Sequence, residues 1–490
     1  MHRFTMKCVN HCIFLIIAAV IACAVADDES KRPHQSSLLN LYPPFGYYDD
    51  GTDPGEPLFL TPLLNNGSMS KQNVQRMARV TGSQFLDVES YAGYLTVDKV
   101  YNSNLFFWYF PAEENPKTAP VVLWLQGGPG ASSLIGLFLE NGPLKLFTED
   151  SLQKRKYAWN RNHNLIFIDS PVGTGFSFTD HEEGYARNEC DVGRDLHEAV
   201  IQLYKLFDWS NSSGFWITGE SYAGKYVPAL AYHIHKAQHS FDFHGFHIPL
   251  KGMAIGNGLS DPVNQLKYGD YLYQLGLIDE NGLEAFHKAE TAGVDCIQNN
   301  DMDCAFDIFD SLILGNMPKG SIFKNLTGFN WYYNYLQAHD DDFFIKLGKF
   351  LQSGATRRAI HVGNKPFHDM DKENKVKSYL KQDYMDSVAP WIEELLKFYP
   401  ICMYSGQLDI IIAYPLTRNY LKLLKFPGSD LYKNAPRKIW RVDGELAGYV
   451  KQAGNLIDIL VRNAGHMVPY DQPKWTYEMI YHLTHQKHPM

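Results

Sequence analysis

The chain has 490 residues, a formal net charge of −9, and 45% hydrophobic, 20% charged and 14% aromatic residues. At roughly 150 residues per domain the length suggests about three domain-equivalents, and one large core with a sizeable insertion accounts for it equally well. These fractions exclude a disordered or fibrous chain, and the acidic balance argues against non-specific nucleic-acid binding.

Residues 1–26 read as a secretory signal. Arg3 and Lys7 give a positive start, Cys12 to Ala26 is an unbroken apolar run, and Ala24-Val25-Ala26 offers small residues for cleavage before Asp27. That run falls short of the roughly 18–20 residues needed to span a membrane, and no later stretch approaches that length. Residues 485–490 match neither an ER-retention signal nor a lipid-anchor tail. The expected mature protein is soluble, without a membrane span, and outside the cytosol. Cys190, Cys296, Cys304 and Cys402 remain after the signal, which is compatible with two disulfides in three alternative pairings. Cys296–Cys304 closes a short local loop and is the preferred bridge; Cys402, in an apolar stretch, fits a buried free thiol equally well. Sequons at Asn66, Asn211 and Asn325 place those loops at the surface if they carry glycans.

Residues 27–80, rich in Pro, Gly, Asn and Asp, predict an irregular or extended N-terminal arm. From Tyr91 the pattern turns regular. Tyr91–Val97 and Asn104–Phe110 predict a hairpin, and 120–125, 164–169 and 214–218 are short continuous apolar runs of the kind buried on both faces of a largely parallel sheet. Asp191–Phe207 carries Val192, Leu196, Val200, Leu203 and Phe207 at helical spacing, so strands alternate with helices. Lys251–Ile255 predicts a further strand. Residues 259–387 lose the strand rhythm and predict an inserted helical cap, between a core of 81–258 and its continuation over 388–490, where Ile401–Tyr404 and Leu456–Val461 restore it. The fold class is α/β, with helices flanking a mostly parallel central sheet.

Residues 214–224 are the most informative. An apolar strand runs through Thr218-Gly219-Glu220-Ser221-Tyr222-Ala223-Gly224 into a helix, with small residues on both sides of the serine. This is a nucleophile elbow, a tight turn that holds the hydroxyl out at the sheet edge. A serine hydroxyl needs an imidazole to take its proton, and the imidazole needs a carboxylate to fix its tautomer. In this fold the chain order is Ser, acid, His. Asp409 follows the strand at 401–404, and His466 follows the strand at 456–461. The glycine loop Gly127-Gly128-Pro129-Gly130 after the third strand exposes backbone N–H groups, so Gly128 and Tyr222 are the candidate oxyanion donors. A phosphate-binding loop is discounted, because neither Gly-Lys-Ser/Thr nor Rossmann spacing is present.

With these motifs on the page, the chain resembles the serine carboxypeptidases, and within them the vitellogenic carboxypeptidase-like group. The likeness runs over roughly 85–485 and rests on WLQGGPGASS (124–133), FIDSPVGTGFSF (167–178), TGESYAGKYVP (218–228), KGMAIGNGLSDP (251–262), SGQLDI (405–410) and AGHMVPYDQP (464–473). The resemblance implies an α/β-hydrolase core with a cap, a Ser221, Asp409 and His466 triad, and the Gly128 and Tyr222 oxyanion pair. It also implies that Trp124, Gln126, Gly127 and Glu220, with Glu140 paired to Glu220, grip the substrate's C-terminal carboxylate. Gln126 stands where Asn is usual, a change the vitellogenic-like group shares, and Ala131 replaces a common Cys. Met467 matches a position lining the pocket for the leaving residue, and its thioether, with Leu139 as a second pocket residue, points to tolerance for apolar C-terminal residues.

The implied activity is release of C-terminal amino acids from peptides or proteins through an acyl-enzyme in mild acid, with no cofactor and no metal. Two contacting carboxyls cannot both ionise cheaply, so one keeps its proton to higher pH and can donate to a peptide carboxylate. The alternatives are an acyltransferase using the same triad and a catalytically silent yolk, storage or protective binding protein. By analogy the protein is secreted or endolysosomal, with yolk or other vesicles as a destination, and homodimeric. His233, His235, His239, His244 and His247 are read as a solvated histidine-rich surface rather than a metal site. The acidic run Asp340–Asp342 is read as a solvated loop.

Overall fold

The unbroken apolar runs form the middle of one ten-stranded sheet. The computed structural model describes residues 49–485 apart from 68, 149–150, 241–243, 317–319, 340–342 and 369–374. The signal segment 1–26, the start of the arm and the run Asp340–Asp342 lie outside the described residues. The strands are β1 (Tyr91–Asp98), β2 (Ser103–Phe110), β3 (Val121–Leu125), β4 (Leu144–Thr148), β5 (Ser151–Lys154), β6 (Asn164–Ile168), β7 (Phe215–Glu220), β8 (Leu250–Gly256), β9 (Ile401–Gly406), β10 (Lys438–Val442), β11 (Glu445–Ala453) and β12 (Leu456–Val461).

The sheet order is β1-β2-β6-β3-β7-β8-β9-β12-β11-β10, with β4 and β5 forming a separate hairpin. From β6 to β12 every neighbouring pair is parallel, and the antiparallel pairs lie at the two edges. β3, β6, β7, β9 and β12 are buried at every residue, as strands covered by helices on both faces must be. Each large apolar side chain fully buried in such a strand, Ile166 or Leu123 for example, contributes about 1.5–3 kcal/mol relative to exposure.

Two core helices follow from local signals. The Glu189–Phe207 helix starts where Asn188 Oδ1 accepts from Asp191 N at 3.1 Å. The Ala223–Gln238 helix begins directly after the elbow and contains Pro228. A proline there removes the N–H that would bond Gly224 O, and Ser260 Oγ fills the gap by donating to that carbonyl at 2.9 Å. Among the described residues no strand lies between Gly256 and Ile401; the stretch is helical. Its last helix, Ala389–Leu395, packs on the core, with Trp391 stacked on Tyr232 at 5.2 Å between ring centroids.

Three expectations change. The arm is not irregular throughout: Leu60–Asn65 and Lys71–Ala78 are helices, the second capped by Ser70, whose Oγ accepts from Asn73 N at 3.3 Å. Leu60, Val74 and Ala78 enter the core, so tertiary burial outweighs the turn-rich composition. The hairpins β4–β5 and β10–β11 come from segments that showed no continuous apolar run. Their strands alternate exposed and buried residues at the margins of the fold. Nor are the five histidines a solvated surface. His235 is buried and His233 half-buried, with His233 Nδ1 3.0 Å from His197 Nδ1 against the neighbouring helix; His239, His244 and His247 are exposed. No group of three or more metal-capable side chains assembles among the described residues. Cys296 and Cys304 are bonded to each other, Cys190 is exposed and Cys402 buried. Asn66, Asn211 and Asn325 are exposed.

Candidate active site

The parallel strands deliver their loops to one edge. β3 leads to the 126–133 loop, β7 to Ser221, β8 to Asn257, β9 to Asp409 and β12 to His466, the carboxyl ends where such sheets place their sites. Ser221 sits at φ 63°, a left-handed conformation that costs a non-glycine residue about 1–3 kcal/mol and is the signature of an elbow. Its backbone is clamped: Ser221 N donates to Gly256 O at 3.0 Å, and Ser221 O accepts from Gly224 N and Leu259 N, both at 2.9 Å.

Asp409 and His466 come together. His466 Nδ1 lies 2.9 Å from Asp409 Oδ2, with both side chains fully buried. The carboxylate also accepts from Ile411 N at 3.0 Å, Ile412 N at 3.3 Å and Asn257 Nδ2 at 2.5 Å. It is a fixed acceptor for Nδ1–H, an arrangement that leaves Nε2 able to accept a proton. His466 N donates to Tyr333 O at 2.7 Å, and the Tyr333 ring lies 4.7 Å from the imidazole at 32°. His466 Nε2 is buried and forms no hydrogen bond here, so the bond to Ser221 is not closed in this state. Such bonds are often long before substrate binds.

Asn257 was missed in the sequence, where it read only as the end of a strand. It donates to Asp409 and accepts from Gly406 N at 3.0 Å, tying β8, β9 and the acid together. Asn257→Ala leaves the buried Gly406 N–H without its acceptor and Asp409 with one donor fewer. The expected cost is about 1–3 kcal/mol in a denaturant melt.

The loop after β3 lies directly on the elbow. A Cβ on Gly127 would sit 2.5 Å from Tyr222 N and 2.7 Å from Ser221 Cβ, so only glycine allows this approach. Gly128 adopts φ 112°, also restricted to glycine, next to a cis bond to Pro129. Tyr222 begins the Ala223–Gln238 helix, where N–H groups have no intrahelical acceptor. β6 pins this loop from the side: Asp169 Oδ1 accepts from Ser132 Oγ at 2.7 Å and Ser133 N at 2.9 Å, and Oδ2 accepts from Phe176 N at 2.9 Å. Burial raises the Asp169 carboxyl to about 7 against these bonds.

Beside the nucleophile a polar chain runs inward. Trp124 Nε1 donates to Gln126 Oε1 at 2.8 Å, which turns the Gln126 amide so that Nε2 donates to Glu220 Oε1 at 2.7 Å. Glu220 in turn lies against Glu140, and both are fully buried. Burial first, then the neighbouring Glu140, pushes Glu220 well above the ordinary carboxyl range. Burial pushes Glu140 up to about 7, against the influence of the neighbouring Glu220 and Gln126 and the charge of Arg155. The pair therefore holds a proton through mild acid.

Leu139 and Met467 line one cavity of about 240 Å³ with His466, together with Trp331, Tyr333, Phe343 and Phe344. The aromatic wall comes from the helical stretch and carried no readable signal in the sequence. A second missed feature lies behind the elbow. Lys225, fully buried, donates to Asp383 Oδ2 at 2.6 Å and to the Asp383 carbonyl, linking the elbow helix to a segment 158 residues away.

Comparisons with known proteins identify the family. A family model described as serine carboxypeptidase matches residues 81–486. The chain is 51% identical over 461 residues to the venom serine carboxypeptidase of Apis mellifera, covering 92% of this chain and 96% of that protein. It is 49% identical over 437 residues to the vitellogenic carboxypeptidase of Aedes aegypti (89% and 91% covered), and 44% identical over 433 residues to the probable serine carboxypeptidase CPVL of Homo sapiens (87% and 89% covered). The crystal structure of Kex1(delta)p, a prohormone-processing carboxypeptidase from Saccharomyces cerevisiae, superposes with a TM-score of 0.69 over 84% of this chain and 96% of that one; at 22% identity it shares the fold. On the family match and these relatives, the chain belongs to the serine carboxypeptidase family.

Proposed function

We propose that this enzyme removes C-terminal residues from peptides through an acyl-enzyme on Ser221, working best in mild acid. The carboxyl pair Glu140–Glu220, joined through Gln126 to Trp124 beside the nucleophile, carries the reading. A general esterase has no use for a buried acid held protonated there, whereas an enzyme that must seize a free peptide carboxylate does. Protonated Glu220 and the backbone at Gly127 offer donors to that carboxylate, with the Gln126 amide holding Glu220 in place. The scissile carbonyl then lies over Ser221.

His466 Nε2 takes the proton as Ser221 Oγ attacks, and Asp409 stabilises the imidazolium through Nδ1–H. The amides of Gly128 and Tyr222 receive the developing oxyanion, where one such donor is worth about 10²–10³ in kcat. The imidazolium gives its proton to the leaving amine, whose side chain occupies the cavity with Leu139 and Met467. Water, activated by the same imidazole, then releases the acyl group and restores Ser221. The venom and vitellogenic relatives, with the predicted signal, support action outside the cytosol.

The sign of the pH dependence follows from the acid pair. Both carboxyls sit above their ordinary values, so the donating form is present in mild acid and is lost as the pH climbs through the raised range of the pair. KM for a blocked dipeptide is expected to rise over that interval with kcat changing less. Glu220→Gln, a donor at every pH, is expected to flatten the KM profile; a mutant profile with the wild-type slope contradicts the role assigned to Glu220.

A further inference from the structure

The turn that presents Glu140 is gripped by a side chain outside every motif. Gly136–Glu140 is a single widened helical turn, closed where Asn141 N donates to Gly136 O at 2.9 Å. Arg155 follows β5 and is half-buried. Its Nε donates to Gly142 O at 2.9 Å and its Nη2 to Phe138 O at 2.8 Å, so one guanidinium bridges the carbonyls two residues before and two residues after Glu140. Its own N–H donates to Pro143 O at 2.8 Å, anchoring the end of the β4–β5 hairpin to the same turn. We propose that Arg155 is a positioning residue for the acid pair: it sets where Glu140 stands against Glu220 and the pH at which the pair ionises. The inference rests on the carboxylate-binding reading of that pair.

The electrostatic side has a definite sign. Glu140 feels Glu220 from β7, Arg155 from the hairpin and Asp471 from the Val468–Asp471 turn. Asp409 adds a negative charge at Glu220, Tyr404 faces both carboxyls from β9, and Tyr470 faces Arg155. The acids favour keeping the proton on the pair, and the guanidinium favours losing it. Glu140 is 1% exposed, so this charge is weakly screened. Neutralising Arg155 must therefore let the pair keep its proton to higher pH.

The test measures KM against pH on a blocked dipeptide for Arg155→Met, Arg155→Gln and Arg155→Lys. In the two neutral variants the pH at which KM climbs is expected to move up by about one unit, with KM in mild acid raised several-fold as the turn loosens. Arg155→Lys keeps the charge but not the two-pronged grip, so its KM rises while the climb stays at the wild-type pH. Arg155→Gln, which retains a donor for one carbonyl, serves if Arg155→Met does not fold. A wild-type midpoint in a folded neutral variant overturns the proposal, as does the failure of both neutral variants to fold beside an Arg155→Lys enzyme of wild-type KM. Glu220→Gln separates the two ideas: a flat profile there beside unmoved Arg155 midpoints sinks the Arg155 role alone, whereas a sloping one sinks the clamp beneath it.

Discussion

Ser221→Ala is expected to lower kcat on a blocked dipeptide by about 10⁶-fold, because no other group in this arrangement can form the acyl-enzyme. Substrate binding should survive, since the carboxylate donors and the cavity by Leu139 and Met467 do not depend on the hydroxyl. His466→Ala is expected to cost about as much, and the double variant little more than either alone, because the two act as one unit. Equilibrium binding of a product-like peptide, measured beside turnover, checks the separation. A loss below about tenfold in either single variant is inconsistent with the mechanism.

Asp409→Asn is the second large effect, about 10⁴-fold in kcat. The carboxylate accepts from four donors: His466 Nδ1, Asn257 Nδ2, Ile411 N and Ile412 N. An asparagine has one acceptor oxygen. With its NH₂ in place of Oδ2 it faces the imidazole, Asn257 Nδ2 and Ile412 N together, which forces the imidazole proton onto Nε2, removes the base and sets donor against donor in a fully buried site, at about 1–3 kcal/mol of stability. With its NH₂ in place of Oδ1 it opposes Ile411 N, and the imidazole keeps only a neutral acceptor that stabilises the imidazolium less. Both outcomes lower activity, and a thermal melt beside the kinetics tells them apart, the first costing more stability. Wild-type kcat in a folded Asp409→Asn enzyme contradicts the role of this acid.

What could be read from the chain and what could not have physical causes. Strands buried on both faces announce themselves as short apolar runs, so β3, β6, β7, β8, β9 and β12 were legible, and the residues at their carboxyl ends with them. β10 and β11 mix charged and apolar residues at an edge, and the two arm helices are too short for a periodic signal. Both needed tertiary partners to become visible. The same holds inside the site. Ser221, Asp409, His466 and the 124–133 loop sit in turns whose chemistry is local. Asn257, Lys225 and Arg155 act through contacts with residues distant in sequence or through backbone carbonyls, and a single Asn, Lys or Arg has no pattern of its own. The histidines at the end of the elbow helix and in the segment after it followed the same rule: five close in sequence diverge to a buried contact, a helix pair and three exposed positions.

The acid pair links the nucleophile to the specificity of the enzyme. A serine, an imidazole and a carboxylate at a sheet edge define acyl transfer in general; in the proposed mechanism the buried Glu140–Glu220 contact restricts it to substrates ending in a carboxylate. On that proposal, specificity and working pH are set by the same two side chains, with Arg155 as the proposed counterweight.

The convergence of Ser221 and His466 is tested most directly by covalent labelling. Protein treated with an organophosphate in mild acid and analysed by peptide mass spectrometry should carry one phosphoryl group, on the peptide containing Ser221. His466→Ala should carry none under the same conditions. An active enzyme that remains unlabelled, or is labelled at another serine, would contradict the account.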